Sequence, residues 1–427
     1  MFHRTASGWV TAVLAAAVTA CPVIAVMASA AQAAAGAPAP VRVTDTPGLR
    51  AAIGRARPGT VIELAPGTYA GGLHVTGVRG EAGRPVVIRS AQADQPAVFQ
   101  GAGLQISGAA YLVLENVVVR GSPGNGLNLD DAGRRGTPAH HLVVRGVVIE
   151  GAGPKGNLDG IKLSGLDDFL LERCTVRGWG DGGSGVDMVG CHRGLIHACR
   201  LEAKADTAAN GVQAKGGSSE IVVRGCTFRD AGNRAVQLGG STGMAYFRPP
   251  GAKYENRRSV ALGNVVVGAA SAVAFVGTED SAFLYNTVVR PKRWVLRILQ
   301  ETRDEGFVRC RNNTFAGNLV VWRAGDLAEH VNIGPDTHPD TFTFRENLWY
   351  QHGGPPGASR PRLPVEETGG VYGQDPILAD RDDPVAPDKD FRAFGHTAPG
   401  EAEAWKTLAR PMVEWAAGQM REAAGTM

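Results

Sequence analysis

The chain has 427 residues, of which 20% are charged, and its formal net charge at pH 7 is only +3. A charge so close to balance gives no global support for nucleic-acid binding. The 58 glycines, together with an aromatic content of only 6%, favour many short strands and tight turns over a helical protein.

The N-terminus has the features of a secretory signal. A short positive start precedes the uncharged, apolar residues 10–27, and the sequence Ala-Gln-Ala at residues 31–33 suits signal peptidase. We predict a signal peptide at 1–33 and a flexible leader at 34–40, and hence a secreted or periplasmic protein. An uncleaved membrane anchor is the alternative. No later stretch has the length and apolarity of a membrane span, so no membrane association is expected after cleavage.

Internal repetition is the strongest signal in the rest of the chain. Two columns of similar residues recur together about every 25 residues, which predicts a solenoid of short parallel strands. The first column contains Asn116, Gly146, Cys174, Cys199, Cys226, Asn264, Asn286, Asn313 and Asn347. The second contains the segments that start at Asn125, Asp159, Ser184, Asn210, Arg234 and Ser271.

The cysteines show no framework of metal ligands or disulfides. Five remain after residue 33, an odd number, and none has C-x-x-C spacing. Cys174, Cys199 and Cys226 share a column with asparagines, so we expect them to form an interior ladder of small apolar side chains.

Residues 43–53, 57–64, 66–69 and 83–90 resemble the opening of pectate-lyase-like β-helix proteins, and the chain is nearest in style to the chondroitinase B and alginate lyase family. The resemblance extends over residues 41–395, where Asp375-Pro376-Ile377 and Asp390-Phe391-Arg392 are similar to the last coils. It implies an all-β, right-handed parallel β-helix at 41–398, with an N-terminal capping helix at about 47–56.

A helical pattern follows the solenoid and predicts a C-terminal helical segment at 399–427. Its apolar face would be formed by Trp405, Leu408, Met412, Trp415 and Met420. We expect this segment to pack on the solenoid or to cover its end.

The second column predicts a polar outer wall, because equivalent outward side chains on adjacent coils lie about 4.8 Å apart. The wall would contain Asn128, Lys162, Asp187, Gln213 and Gln237, with Lys215 two residues beyond Gln213 on the same face. Acids, bases and amides without apolar cover favour a binding surface for a polar polymer. An ordinary solvated face is the alternative.

A long insertion follows the wall at residues 239–258. Tyr246 is placed to stack on a sugar, and Arg248 to hold a carboxylate or sulfate. Alternatively, Tyr246 and Phe247 only anchor the loop. Arg257 and a further basic group containing Arg297 make the middle of the chain basic, which attracts an anionic polymer.

Cleavage of an acidic polysaccharide by β-elimination requires a cation, a base and an acid. Lys215 is the predicted base, since a lysine crowded by Arg234 and Lys162 would lose its proton more readily. Arg234 or Ca²⁺ would neutralise the uronate carboxylate, and Tyr246 is the predicted acid. The predicted Ca²⁺ ligands are Asp159, Asp187 and Asn210. The predicted substrate-binding residues are Lys162, Gln213, Gln237, Arg248, Arg257 and Arg297.

The family resemblance includes the lysine at position 215 but not the arginine motif and the calcium-binding acids that accompany it in the family. Lys215 matches the family's lysine by position. The family's Arg-His-Gly motif is replaced here by Gln237-Leu238-Gly239, and the nearest arginine, Arg234, lies three residues earlier. The family's calcium-binding acids are replaced by Ala208 and Asn210.

The sequence therefore predicts a monomeric polysaccharide lyase acting on an acidic, uronate-containing polymer, with no organic cofactor and no nucleic-acid partner. A uronate epimerase, a β-helix glycoside hydrolase using Asp159 and Asp187, and a non-catalytic carbohydrate-binding protein are the alternatives.

Overall fold

The computed structural model describes residues 39–203, 207–378 and 393–424. The predicted signal peptide at 1–33, the leader up to residue 38 and the segment Asp390-Phe391-Arg392 lie outside the described residues. Within these ranges the strands form three parallel sheets, and the fold is the predicted right-handed parallel β-helix. Each coil contributes a strand to successive sheets, so residues about 25 positions apart become neighbours.

The three sheets contain fourteen, twelve and ten strands among the described residues. The fourteen-stranded sheet contains Val41–Val43, Val61–Leu64, Val86–Ser90, Ala110–Glu115, Ala139–Arg145, Leu166–Glu172, His192–His197, Ser218–Arg224, Asn256–Arg257, Val260–Leu262, Thr278–Glu279, Ala282–Leu284, Thr314–Ala316 and Thr343–Arg345. The twelve-stranded sheet contains Gly67–Ala70, Ala97–Gln100, Val118–Ser122, Val148–Ala152, Thr175–Arg177, Arg200–Glu202, Thr227–Arg229, Val265–Val267, Thr287–Val289, Leu319–Arg323, Leu348–His352 and Val371–Tyr372. The ten-stranded sheet contains Leu73–Thr76, Leu104–Ser107, Leu127–Asp130, Ile161–Ser164, Ser184–Val189, Asn210–Lys215, Arg234–Gly239, Ser271–Val276, Trp294–Leu299 and Val331–Ile333.

The core runs along the inside of the solenoid because alternate residues of each strand point inward. Ile161 and Leu163 are buried, whereas Lys162 between them is half-buried on the outer face. Stacking of like residues continues the core from coil to coil. Phe283 and Phe315, for example, have ring centroids 5.5 Å apart.

The bend between the fourteen- and twelve-stranded sheets corrects the first predicted column. Asn116 and Gly146 occupy its outer, left-handed position, with φ of 55° and 60°, as does Arg173 with 51°. The next residue points inward, so Val117 and Val147 are the true equivalents of Cys174. The predicted column is therefore shifted by one residue in the early coils, where no asparagine or cysteine occupies the inward position of the bend.

The inward column continues as the predicted thiols and then as an amide ladder. Cys174, Cys199 and Cys226 are buried and unbridged, as expected. The ladder that follows contains Asn264, Asn286, Asn318 and Asn347, each accepting the backbone N–H of the preceding coil at 2.8–2.9 Å. Asn313, which the sequence placed here, instead accepts from Ser281 N at a different corner.

The helix predicted at 47–56 lies at Thr46–Gly54. Asp45 caps it by accepting the backbone N–H of Gly48 at 2.7 Å. Its buried residues, Leu49 and Ala52, join the core. That this helix closes the open end of the solenoid stays a prediction.

The C-terminal segment is helical and lies on the outer face of the fourteen-stranded sheet. Its helices are Pro399–Ala404, Trp405–Ala409, Arg410–Met412 and Glu414–Ala424, and the short 3₁₀ turns elsewhere are Met244–Tyr246, Pro339–Thr341, Pro356–Ser359 and Gly395–Thr397. All five residues of the predicted apolar face pack against this sheet. The helices found in the described ranges are all too short or too polar to cross a bilayer.

Candidate active site on the ten-stranded sheet

The strand register places the predicted polar wall on the ten-stranded sheet. Asn128, Lys162, Asp187, Gln213 and Gln237 pair in that order on five successive coils. Asn128 and Lys162 are half-buried between buried neighbours, which shows that they point outward. Asp187, Gln213 and Gln237 share this orientation through the strand register, although their side chains are buried. These five side chains span more than 100 residues of sequence and yet lie on one face of the sheet.

Two carboxylates lie beneath this surface and hold a lysine between them. The side chains of Asp159 and Asp187 are only 2% and 1% exposed, whereas Lys162 is 21% exposed. Lys162 Nζ lies 3.3 Å from Asp159 Oδ2 and makes a shorter ion pair with Asp187. Burial opposes the charge of Lys162, but the Asp187 and Asp159 carboxylates outweigh it and raise the pKa of this lysine. Burial, followed by the charge of Asp187, raises the pKa of Asp159.

The predicted calcium ligands do not fit a calcium site in this arrangement. The Lys162 ammonium pairs with both Asp159 and Asp187. A metal ion between these carboxylates would be repelled by the ammonium charge and would have to compete with the lysine for both ligands. Among the described residues, no group of three or more His, Cys, Asp or Glu is arranged to hold a metal. Calcium binding thus stays a prediction that none of these contacts supports.

Lys215 shares the Asp187 carboxylate with Lys162. Its Nζ lies 3.5 Å from Asp187 Oδ1, and its side chain is 14% exposed. The sequence predicted that Lys215 would be crowded by the cations Arg234 and Lys162. In the structure, its charged contact is instead the Asp187 carboxylate. Arg234 is turned elsewhere, since it donates to Gln237 Oε1 and, at 2.8 Å, to Glu301 Oε1.

Four buried side-chain polar atoms on this sheet have no hydrogen-bond partner within the part of the chain that the structure describes. They are Asn128 Oδ1, Asp187 Oδ1, Asn210 Oδ1 and Arg234 Nε. Asp187 Oδ1 faces the Lys215 ammonium at 3.5 Å, so Asn128 Oδ1, Asn210 Oδ1 and Arg234 Nε are the atoms that an external partner could satisfy.

Arg297 extends the basic part of the wall two coils beyond Gln237. Its Nε donates to Asn332 Oδ1 at 2.9 Å, and its guanidinium lies 4.2 Å from the ring centroid of Trp294. Burial and the neighbouring Arg234 charge lower the pKa of Arg297 to about 10. A cation disfavoured in this way would be stabilised by an anionic ligand.

The insertion is fixed to the wall by an ion pair that the sequence did not reveal. Arg248 Nε donates to Asp131 Oδ2 at 2.6 Å and its NH2 group donates to Asp131 Oδ1 at 3.1 Å. The Arg248 side chain passes over Gly190, where a Cβ would lie only 2.3 Å from Arg248 Cβ. The guanidinium is already occupied, so Arg248 is an anchor of the insertion rather than the predicted substrate ligand.

Glu255 is the second anchor and was also missed. This carboxylate is completely buried and accepts hydrogen bonds from Gly216 N at 2.7 Å, from Thr242 N and Oγ1 at 2.8 Å, and from Thr302 Oγ1 at 2.5 Å. It therefore ties the residue after Lys215 to the insertion. No local pattern could have revealed it, because its donors come from three separate segments.

The other two predicted residues of the insertion have different surroundings. Tyr246 is 61% exposed on the turn Met244–Tyr246, while Phe247 beside it is buried against Phe307 and holds the loop in place. Arg257 lies in the fourteen-stranded sheet, with its guanidinium 4.2 Å from the Tyr254 ring centroid. The structure therefore does not bring Arg257 into the wall.

A family model described as "Right handed beta helix region" matches residues 102–290, less than half of the chain. The fold and this match define a right-handed parallel β-helix protein. A search of curated protein sequences finds no match.

Solved structures with similar folds include an alginate lyase from Paenibacillus sp. str. FPU-7, with 17% identity over 70% of this chain and 96% of that chain and a TM-score of 0.49. The PL6 family alginate lyase AlyGC matches with 14% identity over 85% of this chain and 57% of its own, with a TM-score of 0.47. Pectate lyase Pel9A matches with 13% identity over 69% and 73%, with a TM-score of 0.43. At these values no activity is carried over from them.

Proposed function

We propose that the protein is a secreted or periplasmic polysaccharide lyase that cleaves an acidic, uronate-containing polymer by β-elimination. The observation that carries the proposal is the layering of the wall. Lys162 and Lys215 reach the surface, whereas Asp159 and Asp187 lie almost completely buried beneath them. The groups that reach the surface beside Gln213 and Gln237, which are themselves buried, are therefore ammonium groups, which suit a uronate carboxylate.

In the proposed reaction, Lys215 in its neutral form removes the proton at C5 of the uronate. The electron pair forms a C4–C5 double bond, and the bond from C4 to the leaving oxygen breaks. Lys162 stabilises the negative charge that develops on the carboxylate, and Tyr246 supplies a proton to the leaving oxygen. Arg234 would contribute only through its Nε, because its two terminal nitrogens are engaged by Gln237 and Glu301. Asp187 positions both lysines, because it contacts both ammonium groups.

A uronate epimerase is the second candidate, because removal of the same C5 proton and its return from the opposite face would use the same lysine. A hydrolase fits less well. It needs two carboxyl groups at the cleaved bond, and those of Asp159 and Asp187 are buried and engaged by Lys162.

Incubation with a panel of pectate, alginate, glycosaminoglycans and bacterial exopolysaccharides tests the proposal. We expect one of these polymers to yield unsaturated, ultraviolet-absorbing products. New reducing ends without that absorbance would indicate a hydrolase, and a changed C5 configuration in an intact polymer an epimerase. Retention of polymer without any product would indicate a binding protein. A parallel incubation with a chelator tests the predicted need for calcium.

A further inference from the structure

The ten-stranded sheet has two chemically different ends, on either side of Lys162 and Lys215. The three coils before Lys162 present His74, Gln105 and Asn128 in register, with Asp130 at the end of the third strand. The coils after Lys215 present Arg234 and, further on, Arg297. We call the first region the amide–acid end and the second the arginine end.

Two clefts lie along the amide–acid end. One of about 460 Å³ is bordered by His74, Ser107, Asp130 and Arg248. The other, of about 310 Å³, is bordered by Gln105 and Asn128 on the opposite edge of the strands. Arg248 is the cation that borders the first cleft, and Asp131 neutralises it. Arg134 beyond the rim is exposed, so its charge is screened by solvent.

Hydrogen bonds fix which atoms the amide–acid end offers to a ligand. Asn128 Nδ2 donates to Gln105 Oε1 at 2.6 Å and to Asp130 Oδ2 at 3.2 Å, which sets the orientation of the amide. Asn128 Oδ1 is left buried without a donor. Gln105 also donates to Asp130, whose other oxygen accepts Ala132 N at 2.8 Å. The end thus presents an amide oxygen without a donor and an anionic carboxylate that already accepts three hydrogen bonds, and both groups are acceptors.

A uronate carboxylate does not suit these acceptors, because it has no proton to donate and would be repelled by Asp130. A sugar hydroxyl can donate to both oxygens. The arginine end has the opposite chemistry: Arg234 is paired with Glu301, but its Nε is a buried donor without an acceptor among the described residues, and Arg297 adds a second cation. An anionic group suits that end and a neutral sugar suits the other.

We infer that the substrate is a heteropolysaccharide in which a neutral sugar occupies the amide–acid end while the uronate lies at Lys215 and the arginine end. This inference rests on the proposed function and adds the substrate class to it. Asp130 and Lys215 are three coils apart, roughly 14 Å at the spacing of parallel strands, so the two ends hold different units of one chain. Asp130 is a specificity-determining residue that acts against a second uronate.

The test compares kcat/KM for unsaturated product on two size-matched substrates: a polymer with alternating uronate and neutral sugars, and a uronate homopolymer. We expect the heteropolymer to be preferred at least about tenfold. Asp130→Asn should raise kcat/KM on the homopolymer by about tenfold and so reduce the preference for the heteropolymer. His74→Lys, at an exposed position of the same end, should act in the same direction. Asp94→Asn, at a remote exposed carboxylate, should change neither value.

Equal kcat/KM on both substrates, or an unchanged preference in both Asp130→Asn and His74→Lys, would overturn the inference. If neither polymer gives unsaturated product, the proposed function fails, and the inference is then decided by equilibrium binding of the two polymers to the wild-type protein. Tighter binding of the heteropolymer supports it, and equal dissociation constants contradict it.

Discussion

The outer face of the fourteen-stranded sheet and that of the ten-stranded sheet arise from the same repeat but have opposite character. On the first, Val143, Leu170, Leu195 and Val222 stand in register and are covered by the C-terminal helices. On the second, the corresponding row from Asn128 to Gln237 consists of charged or amide side chains, and the insertion rather than a helix lies against it. The repeat thus specifies the interior, while the outward positions decide which face is structural and which is free to bind.

The largest expected effect is on the polar face. Asp187→Asn removes the carboxylate that contacts both Lys162 and Lys215, so we expect kcat to fall on the order of 10²–10³-fold with a smaller change in KM. Steady-state kinetics on the polymer identified by the panel provide the measurement. Asp280→Asn, at an exposed carboxylate outside the wall, is the control. A variant with normal kcat would show that Asp187 does not position the lysines.

The covered face should respond to truncation with a loss of stability instead. Leu195→Ala creates a cavity between the sheet and the C-terminal helices and should lower the free energy of unfolding by about 2–5 kcal/mol. Denaturant titration measures this change, while kcat/KM of the folded protein should stay unchanged. An activity loss without destabilisation would mean that the two faces are not separate in function.

The same sheet carries a carboxylate that makes folding stability depend on pH. Burial raises the pKa of Glu172, but His197 and Arg145 outweigh it and lower this pKa from 4.5 to about 2. The resulting stabilisation is complete above about pH 4.5 and is lost as the pH falls toward 2, on the order of 3 kcal/mol in all. Between about pH 4.5 and 2, the free energy of unfolding should therefore depend less steeply on pH in Glu172→Gln than in the wild type, as measured by unfolding titrations. Identical slopes for the variant and the wild type would contradict this assignment.

A smaller effect is expected at the anchor of the insertion. Arg248→Ala breaks the ion pair with Asp131, so the insertion should be cut faster by proteases, and kcat/KM should fall about tenfold through kcat as well as KM. Lys253→Ala, in the same insertion, keeps that ion pair and is the matched control. If Arg248→Ala raised KM alone and left the insertion protected, the arginine would be a substrate ligand, as the sequence first indicated.

The sequence predicted what depends on the repeat and missed what depends on contacts between distant segments. The ladder of Cys174, Cys199 and Cys226 and the shared wall both follow from spacing alone. The partner of Arg248 lies 117 residues away in an ordinary turn, so spacing contains no information about it. The column was wrong at Asn116 because an outward left-handed asparagine and an inward ladder asparagine look alike in sequence.

The account depends on Lys215 as the group that removes the proton, and one pair of variants tests this directly. Formation of unsaturated product is measured for Lys215→Ala and for Lys155→Ala, an exposed lysine outside the strands of the wall, after both are shown to be folded. The account predicts no detectable product from Lys215→Ala and normal rates from Lys155→Ala. Continued turnover by folded Lys215→Ala would contradict it.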